Sequence, residues 1–147
     1  MNDYLKERDL WWPVSPELMT SYRDGSHTDD WLDGTLLWFK NGVWHRDGDK
    51  PARIYAANST LLWYKNGKIH RDGDKPAAIF WNGTLWWYKN GKQHRVTGPA
   101  VINRNNKHEY WINGVNITEE VNAWLKTRKY KHPFTFEQQV EFTLTFS

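Results

Sequence analysis

The phrase WYKNGKIHRDGDKPA at residues 63–77 occurs three times in nearly the same form. WFKNGVWHRDGDKPA begins at residue 38, and WYKNGKQHRVTGPA begins at residue 87. Each copy contains Asn-Gly, which between aromatic or apolar runs is the strongest short-range signal for a β-hairpin because both residues tolerate a positive φ. The sequence therefore predicts a β-hairpin that is repeated along the chain.

The hairpin turns recur at a nearly constant spacing. Asn41, Asn66, Asn90 and Asn113 are 25, 24 and 23 residues apart, and we call the four segments around them units 1 to 4. A period of this size is typical of repeat architectures. Aromatic and β-branched runs before the turns, such as TLLWFK at residues 35–40, predict strands of about six residues.

A further segment in each of the first three units begins at a proline. Pro51, Pro76 and Pro99 follow the HRDGD or HRVTG stretch, where Gly and Pro predict a turn. We interpret each unit as three short strands of an antiparallel meander. One continuous bent strand through HRDGDKPA is the alternative.

The two ends of the chain carry helix signals. Ser15 followed by Pro16 predicts an N-cap and first position of a short N-terminal helix. Thr118 is predicted as an N-cap with Glu119 and Glu120 in the first turn of a capping helix. VEFTLTFS at residues 140–147 alternates at period two and predicts a final strand.

These elements predict an all-β fold, an antiparallel meander of about four hairpin repeats of 23–25 residues. A short N-terminal helix precedes it, and a capping helix and a final strand follow. We assign residues 1–147 to a single domain. It comprises an N-terminal arm (1–30), the β-repeat array (31–118) and the cap (119–147).

Charge is distributed unevenly along the chain. Residues 1–34 hold three Lys/Arg against eight Asp/Glu, and residues 35–118 hold thirteen against five. An acidic arm therefore precedes a basic body. This indicates either a solvated surface with local bias or a basic face for an anionic partner, with the arm as a second surface or a lid.

Composition excludes several classes of protein. The chain has no Cys, which excludes a disulfide framework and a thiolate metal site. No apolar run approaches the roughly 18 residues of a membrane span. The charged start MNDYLKERDL lacks the apolar segment of a signal peptide, so we expect a cytoplasmic protein that does not bind membranes.

Hairpin pairing predicts a structural ladder of tryptophans and histidines. A two-residue Asn-Gly loop places Trp38 opposite His45, and the equivalent pairs complete the set: Trp38, Trp63, Trp87, His45, His70 and His94. Equivalent histidines of neighbouring units would be about 10–14 Å apart. One ion needs its ligands within about 2.3 Å, so we predict no metal site and no cofactor.

No catalytic constellation stands out. HRD resembles the catalytic loop of protein kinases, but that loop needs an Asn five residues after the Asp, where this chain has Ala52 and Ala77, directly after Pro51 and Pro76. The phrase also recurs, whereas a catalytic centre is normally single. We therefore predict that the protein is not an enzyme.

Aromatic residues are predicted on both faces of the sheet. Trp38, Trp63, Trp87 and Tyr110 share one strand position, and the next position, on the opposite face, holds Phe39, Tyr64, Tyr88 and Trp111. One stripe forms the core. The other is covered by the terminal segments, or remains exposed as a partner surface.

Basic residues suggest a second kind of surface. The arginines directly follow the histidines and are therefore expected on the other face, outside the core. The candidate binding residues are Arg46, Arg71, Arg95, Lys50, Lys75 and Trp44. Such a row is a solvated polar face, or it binds phosphates or an acidic protein surface. Interleaved aromatics also suit single-stranded nucleic acid.

The repeated motif WYKNGKxHRxxGPA, followed by NGxxxWY, resembles the variant MORN-type β-repeats over roughly residues 31–118. Such repeats occur in antitoxin-like bacterial proteins and in small proteins of tailed phages and giant viruses. The first two copies depart from the motif, with RDGDKPA in place of RVTGPA. The resemblance implies a binding or structural module, and a viral origin would make the partner a host protein.

We therefore predict a non-catalytic module that binds another protein, because its rigid sheet is rich in Trp, Tyr and Arg, the residue types of interface hot spots. With a viral origin it would inhibit a host enzyme or defence component. Two alternatives remain open. One is binding of nucleic acid or a nucleotide-type ligand through the aromatic and basic ladders, and the other is a structural or antitoxin-like role.

Overall fold

The computed structural model describes residues 14–18, 28–29 and 34–147. Its strands are, in chain order, β1 (Thr28–Asp29), β2 (Leu36–Leu37), β3 (Phe39–Lys40), β4 (Val43–Trp44), β5 (Arg53–Tyr55), β6 (Thr60–Leu62), β7 (Tyr64–Lys65), β8 (Lys68–Ile69), β9 (Ala78–Ile79), β10 (Leu85–Trp86), β11 (Tyr88–Lys89), β12 (Lys92–Gln93), β13 (Val101–Ile102), β14 (His108–Glu109), β15 (Trp111–Ile112) and β16 (Val115–Asn116). Two helices follow, α1 (Thr118–Arg128) and α2 (Phe136–Phe146). The predicted all-β meander with a helical cap is confirmed.

The strands form one large sheet and four small ones. The 8-stranded sheet has the order β1-β2-β5-β6-β9-β10-β13-β14, with antiparallel neighbours throughout. The other strands pair within their own hairpins, as β3-β4, β7-β8, β11-β12 and β15-β16. Units 1 to 3 each contribute two strands to the large sheet and carry a separate hairpin between them.

Trp38 marks the point where the chain changes its pairing partner. Its backbone N–H donates to the carbonyl of Ala52 (2.8 Å), and its carbonyl accepts from the N–H of His45 (3.1 Å). The equivalent tryptophans of units 2 and 3 make the same two bonds. The predicted six-residue strands are therefore wrong as single strands, because each is divided at its tryptophan between the large sheet and a hairpin.

The Asn-Gly turns adopt the predicted conformation. Asn41 (φ 52°) and Gly42 (φ 75°) both lie in the left-handed region, and the turn places Phe39 opposite Trp44. The other three turns have the same signs of φ and the equivalent register. The predicted hairpins are confirmed. Residues 45–52 contain no strand, so the alternative of one bent strand through HRDGDKPA is wrong.

One face of the large sheet forms the core. Cross-strand register places on it a row of apolar side chains, Leu36, Ile54, Leu61, Ile79, Leu85 and Ile102. All but Leu36 are at most 3% exposed. Trp38, Trp63 and Trp87 pack beside this row and are buried too. Each buried aliphatic side chain contributes roughly 1.5–3 kcal/mol, so this row joins the units into one body.

The cap is built from both helices on the fourth unit. Tyr110 and Phe142 are fully buried, with ring centroids 5.9 Å apart. Trp124 of α1 contacts the ring of Phe142 edge-on at 5.9 Å. The buried His132, between the helices, lies so close to unit 3 that a side chain at Gly98 would meet its ring at 2.5 Å. The predicted cap is confirmed, and it contains two helices rather than one.

The predicted final strand at residues 140–147 is wrong, because this segment belongs to α2. Thr135 begins the helix with a capping box, in which its side chain accepts from the N–H of Gln138 and the Gln138 side chain accepts in return. Of the alternating apolar residues, Phe142 is buried while Leu144 is 82% exposed. Helical packing on one side therefore overrides the period-two pattern.

The predicted helix starts are partly correct. The N–H of Leu18 donates to Ser15 Oγ (3.2 Å), and residues 16–18 are helical. The rest of the predicted N-terminal helix, like most of the acidic arm, lies outside the described residues. Thr118 is not the N-cap of α1, which is Ile117. The Thr118 hydroxyl instead accepts from the backbone N–H of Tyr110 (3.0 Å).

Candidate functional site

The HRDGD and HRVTG loops of units 1 to 3 form one surface, which we call the loop face (residues 45–51, 70–76 and 94–99). On it each arginine stacks on the tryptophan of its own unit. The guanidinium carbons of Arg46, Arg71 and Arg95 lie 3.7, 3.8 and 4.0 Å from the ring centroids of Trp38, Trp63 and Trp87. Such cation–π contacts gain strength where water is excluded.

The arginines are therefore not on the face opposite the tryptophans, and that prediction is wrong. The strand ends at Trp44, so the alternation of faces does not continue to Arg46, and the loop folds back over the core. The side chains of Arg71 and Arg95 are only 5% and 6% exposed. A row of arginines accessible to phosphates is not formed.

The same arginines connect successive units. Arg71 of unit 2 donates from Nε and Nη2 to both carboxylate oxygens of Asp49 in unit 1 (2.7 and 3.2 Å). Arg95 repeats this bidentate pair with Asp74 (2.8 and 3.2 Å). Two parallel charge-assisted bonds fix orientation as well as adding energy, so each pair joins two units in a defined register.

Lys75 and Lys50, the other predicted basic residues, are also occupied. Lys75 Nζ lies 2.7 Å from Asp49 Oδ2, and Lys50 is half-buried and has a partner. Burial alone would raise the pKa of Asp49, but hydrogen bonds from Arg71 and Lys75 outweigh it and hold that pKa below its ordinary value. Asp49 is thus ionised between two cations.

Each ladder histidine forms a second bond between units. His45 Nδ1 accepts from the backbone N–H of Asn66 (3.0 Å), His70 Nδ1 from that of Asn90 (3.0 Å), and His94 Nδ1 from that of Asn113 (3.1 Å). A ring nitrogen that accepts carries no proton, so these imidazoles are neutral with the proton on Nε2. We call the Arg–Asp and His–Asn bonds together the inter-unit clasp.

In two of these rings the other nitrogen, Nε2, is bonded to a carboxylate. His45 Nε2 lies 2.9 Å from Asp47 Oδ1, and His70 Nε2 lies 2.8 Å from Asp72 Oδ1. The hydrogen bond from the histidine, followed by that from a lysine, lowers the pKa of each of these aspartates to about 2. Each of these two imidazoles is therefore held at both ring nitrogens.

Clefts separate successive loops. One of about 300 Å³ lies between units 1 and 2, and a second of about 220 Å³ lies between units 2 and 3. Their walls carry the lysines, arginines, histidines and aspartates described above. Among the described residues no group of three or more His, Asp or Glu is placed to hold a metal ion.

The array carries a second surface, the aromatic face (Phe39, Trp44, Tyr55, Tyr64, Phe80, Trp81, Trp86 and Tyr88). Its rings contact one another across units. Trp44 meets Tyr64 edge-on at 4.9 Å, and Trp86 lies 4.8 Å from Phe80 and 6.1 Å from Tyr88. Burial raises the pKa of both Tyr64 and Tyr88, as expected for phenols set among rings.

An apolar cleft of about 350 Å³ opens on the aromatic face. Its walls include Tyr55, Leu62, Ile69, Phe80, Trp81 and Trp86. Trp81 is 58% exposed at its edge, and Phe39 is 49% exposed farther along the face. Arg53 adds a positive charge to the aromatic face. Its guanidinium stacks 4.5 Å from the Tyr55 ring centroid, and its Nε is buried without a hydrogen-bond partner within the described ranges.

Of the predicted binding residues, only Trp44 lies on the aromatic face. The stripe of Phe39, Tyr64 and Tyr88 is predicted from the sequence, whereas the cleft is not. Unit 2 has Phe80 and Trp81 where unit 3 has Asn103 and Arg104. These two aromatic residues are not part of the repeated motif. The sequence signal for the cleft is therefore the difference between unit 2 and unit 3 at these positions.

Comparison of the chain with protein-family models, with curated proteins and with solved structures found no match. No helix in the described ranges is both long and apolar enough to cross a membrane.

Proposed function

We propose that this protein is a non-catalytic module that binds another protein through the aromatic face. The observation that carries this proposal is the apolar cleft with the exposed Trp81 at its edge. Exposed apolar patches on a folded domain mark partner surfaces, and tryptophan, tyrosine and arginine are the residues that dominate interface energies.

The composition of the aromatic face indicates what its partner presents. An aliphatic or aromatic side chain would fill the cleft beside Trp81 and Phe80. The guanidinium of Arg53, which stacks on the rings of Tyr55 and Trp44, adds a positive charge to the same face. A partner that presents a carboxylate near the apolar anchor would therefore be electrostatically complementary to this face.

The loop face supports nucleic-acid binding less well. Its arginines are stacked on tryptophans and paired with carboxylates. Single-stranded nucleic acid needs accessible cations along a groove together with open aromatic rings. The two most exposed rings of the aromatic face, Trp81 and Phe39, are not part of the clefts that hold the arginines.

The resemblance to MORN-type repeats extends the proposal. On that basis the protein would be of phage or viral origin, would act in the host cytoplasm, and would inhibit a host enzyme or defence component. Repetition of the loops favours this non-catalytic role, because a reaction centre needs one arrangement of groups rather than three similar ones.

The test is a binding comparison between matched variants. Trp81→Ser removes the most exposed ring of the aromatic face (58% exposed), and Phe136→Ser removes a still more exposed ring on α2 (75% exposed). The wild type and each purified variant are immobilised and incubated with extract of the native host, with and without nuclease. The stoichiometric partner is then identified and titrated. We expect Trp81→Ser to raise the dissociation constant for that partner by about 30-fold, as for an interface hot spot. Phe136→Ser should leave the dissociation constant unchanged.

Thermal melting of both variants is the control, since neither substitution touches the core. Equal binding by all three proteins would contradict the assignment of the aromatic face. Retention of nucleic acid alone, lost after nuclease, would contradict protein binding.

A further inference from the structure

Units 1 and 2 each hold an aspartate carboxylate between a histidine and a lysine. In unit 1 the Asp47 carboxylate lies 2.9 Å from both His45 Nε2 and Lys40 Nζ. In unit 2 the Asp72 carboxylate lies 2.8 Å from His70 Nε2 and 3.0 Å from Lys65 Nζ. Two copies of one geometry define what these donors bind, a single carboxylate held by an imidazole N–H and an ammonium group.

Unit 3 keeps both donors and lacks the acid. Lys89 and His94 occupy the positions of Lys65 and His70, but Val96 stands where Asp72 stands in unit 2. His94 Nδ1 still accepts from the backbone N–H of Asn113 (3.1 Å). Its ring therefore has the same tautomer as the other two, and Nε2 carries the proton that a carboxylate would accept.

Val96 cannot substitute for the missing acid. Its side chain packs against the cap cluster that includes Phe142, and its carbonyl accepts from the Thr143 hydroxyl (3.2 Å). Within the described ranges, His94 Nε2 and Lys89 Nζ have neither a hydrogen bond nor an ion pair. Burial, and then the charge of Lys89, lower the pKa of His94, which keeps this ring neutral.

Both donors line the 220 Å³ cleft between units 2 and 3. The opposite wall contains two acids that are already engaged. Asp72 is held by His70 and Lys65, and Asp74 is held by Arg95. The donors that remain for an incoming group are those of unit 3.

We propose that Lys89 and His94 form a binding site for a carboxylate supplied by another molecule. That carboxylate belongs to an Asp or Glu side chain of a partner protein or to a free organic acid. The site lies on the loop face and is independent of the partner proposed for the aromatic face.

The first experiment uses acetate as the probe. The full-length protein is titrated with sodium acetate near neutral pH, with sodium chloride exchanged so that ionic strength stays constant, and the ring nitrogens of the histidines are followed by NMR. We expect a saturable shift at His94, with a midpoint on the order of tens of millimolar. His45 and His70 should not respond, because Asp47 and Asp72 already occupy their Nε2 atoms.

Two variants identify the donors. Lys89→Gln should raise the acetate midpoint about twofold to fivefold, as expected for an exposed ion pair, whereas Lys107→Gln, an exposed lysine outside the cleft, should leave it unchanged. Val96→Asp should abolish the response by supplying an internal acid. Because Val96 packs on the cap and this variant can lose its fold, Lys89→Gln alone decides the role of the lysine.

The source of the carboxylate is distinguished with a second probe, the blocked peptide acetyl-Gly-Asp-Gly-amide. A midpoint at least tenfold below that of acetate assigns the site to a protein side chain, and equal midpoints assign it to free organic acids. The proposal is overturned if His94 shows no saturable shift, if all three histidines shift alike, or if Lys89→Gln and Lys107→Gln behave identically.

Discussion

At the scale of single residues, Trp63 combines three roles. Its ring packs in the core and lies beneath the Arg71 guanidinium, its backbone changes pairing partner, and its Nε1 donates to the carbonyl of Asp49 (3.1 Å). Tyr64, the next residue, points to the aromatic face and is half-buried. Adjacent residues of the chain thus belong to different surfaces.

Trp63→Ala should lower the free energy of unfolding by about 3–5 kcal/mol, the range for large buried aromatics. Tyr64→Ala should cost clearly less, because its ring is partly solvated and makes no bond between units. Chemical denaturation of both variants measures the difference. Equal losses would show that Trp63 is not a core residue.

Asp47 and Asp72 should make stability depend on pH. Their pKa values are lowered from 3.8 to about 2 in the folded protein, so the unfolded chain binds more protons between these values. The stabilisation is complete above about pH 4 and is lost as pH falls towards about 2. Denaturation midpoints of the wild type and of Asp47→Asn/Asp72→Asn across this range provide the test, and the double variant should have a shallower slope. Identical slopes would contradict the paired geometry.

At the scale of elements, the loops carry the arginine and histidine side chains that bond successive units. Replacing Arg46, Arg71 and Arg95 together by Ala would leave folding intact if these side chains lined an exposed row. The structure leads to the opposite expectation, because each substitution uncovers a tryptophan and two of them remove the bidentate partner of a carboxylate in the preceding unit. We expect loss of cooperative thermal unfolding, and a triple variant with an unchanged melting temperature would refute the clasp.

A double-mutant cycle isolates one clasp. Asp49→Ala, Arg71→Ala and the double variant should give a coupling energy of about 1–3 kcal/mol, because the Arg71 side chain is 5% exposed and its pair is bidentate. Lys40→Ala with Asp47→Ala is the matched exposed pair, with side chains 55% and 74% exposed, and its coupling should be smaller. Comparable coupling in both cycles would mean that burial adds nothing to the clasp.

The sequence predicts those elements whose cause is local. Asn-Gly fixes each hairpin and its register within a few residues, and so the tryptophan–histidine pairs could be placed correctly. The Arg71–Asp49 pair spans 22 residues and depends on how two loops stack. The alternation of side chains between the two faces of a strand cannot predict such a contact, because the strand has ended before the histidine.

The C-terminal error has a different cause. The run of apolar residues at alternate positions fits a strand, yet Phe142 and Phe146 are also four residues apart and pack together at 5.0 Å on one side of a helix. The capping signal was present in the sequence, because Thr135 and Gln138 have capping-box spacing. This helix-start signal, together with the four-residue spacing of Phe142 and Phe146, favours a helix over a strand in this segment.

At the scale of the whole molecule, the array has two surfaces along its length, the loop face and the aromatic face, and a helical cap at the end of unit 4. The loop face connects successive units, the aromatic face presents the cleft, and α1 and α2 cover the apolar end of unit 4. Repeat proteins need such an end, because a terminal unit has no neighbour on which to bury its face.

Phe142→Ala should destabilise the protein by about 3–5 kcal/mol, because this fully buried ring joins α2 to Tyr110. Leu144→Ala, two residues away on the same helix and 82% exposed, should change stability little. Thermal melting followed separately by tryptophan fluorescence and circular dichroism checks whether cap and array unfold together. A destabilised cap on an array that melts as before would show that the two are not coupled.

Whether the repeated phrase binds each unit to the next is tested most directly by amide hydrogen exchange at the turns. The amides of Asn66, Asn90 and Asn113 are bonded to histidine Nδ1 atoms of the preceding units. In His70→Ala the exchange of the Asn90 amide should accelerate about fivefold or more relative to the Asn66 and Asn113 amides, since only its acceptor is removed. Exchange of all three amides in unchanged proportion would contradict the inter-unit clasp.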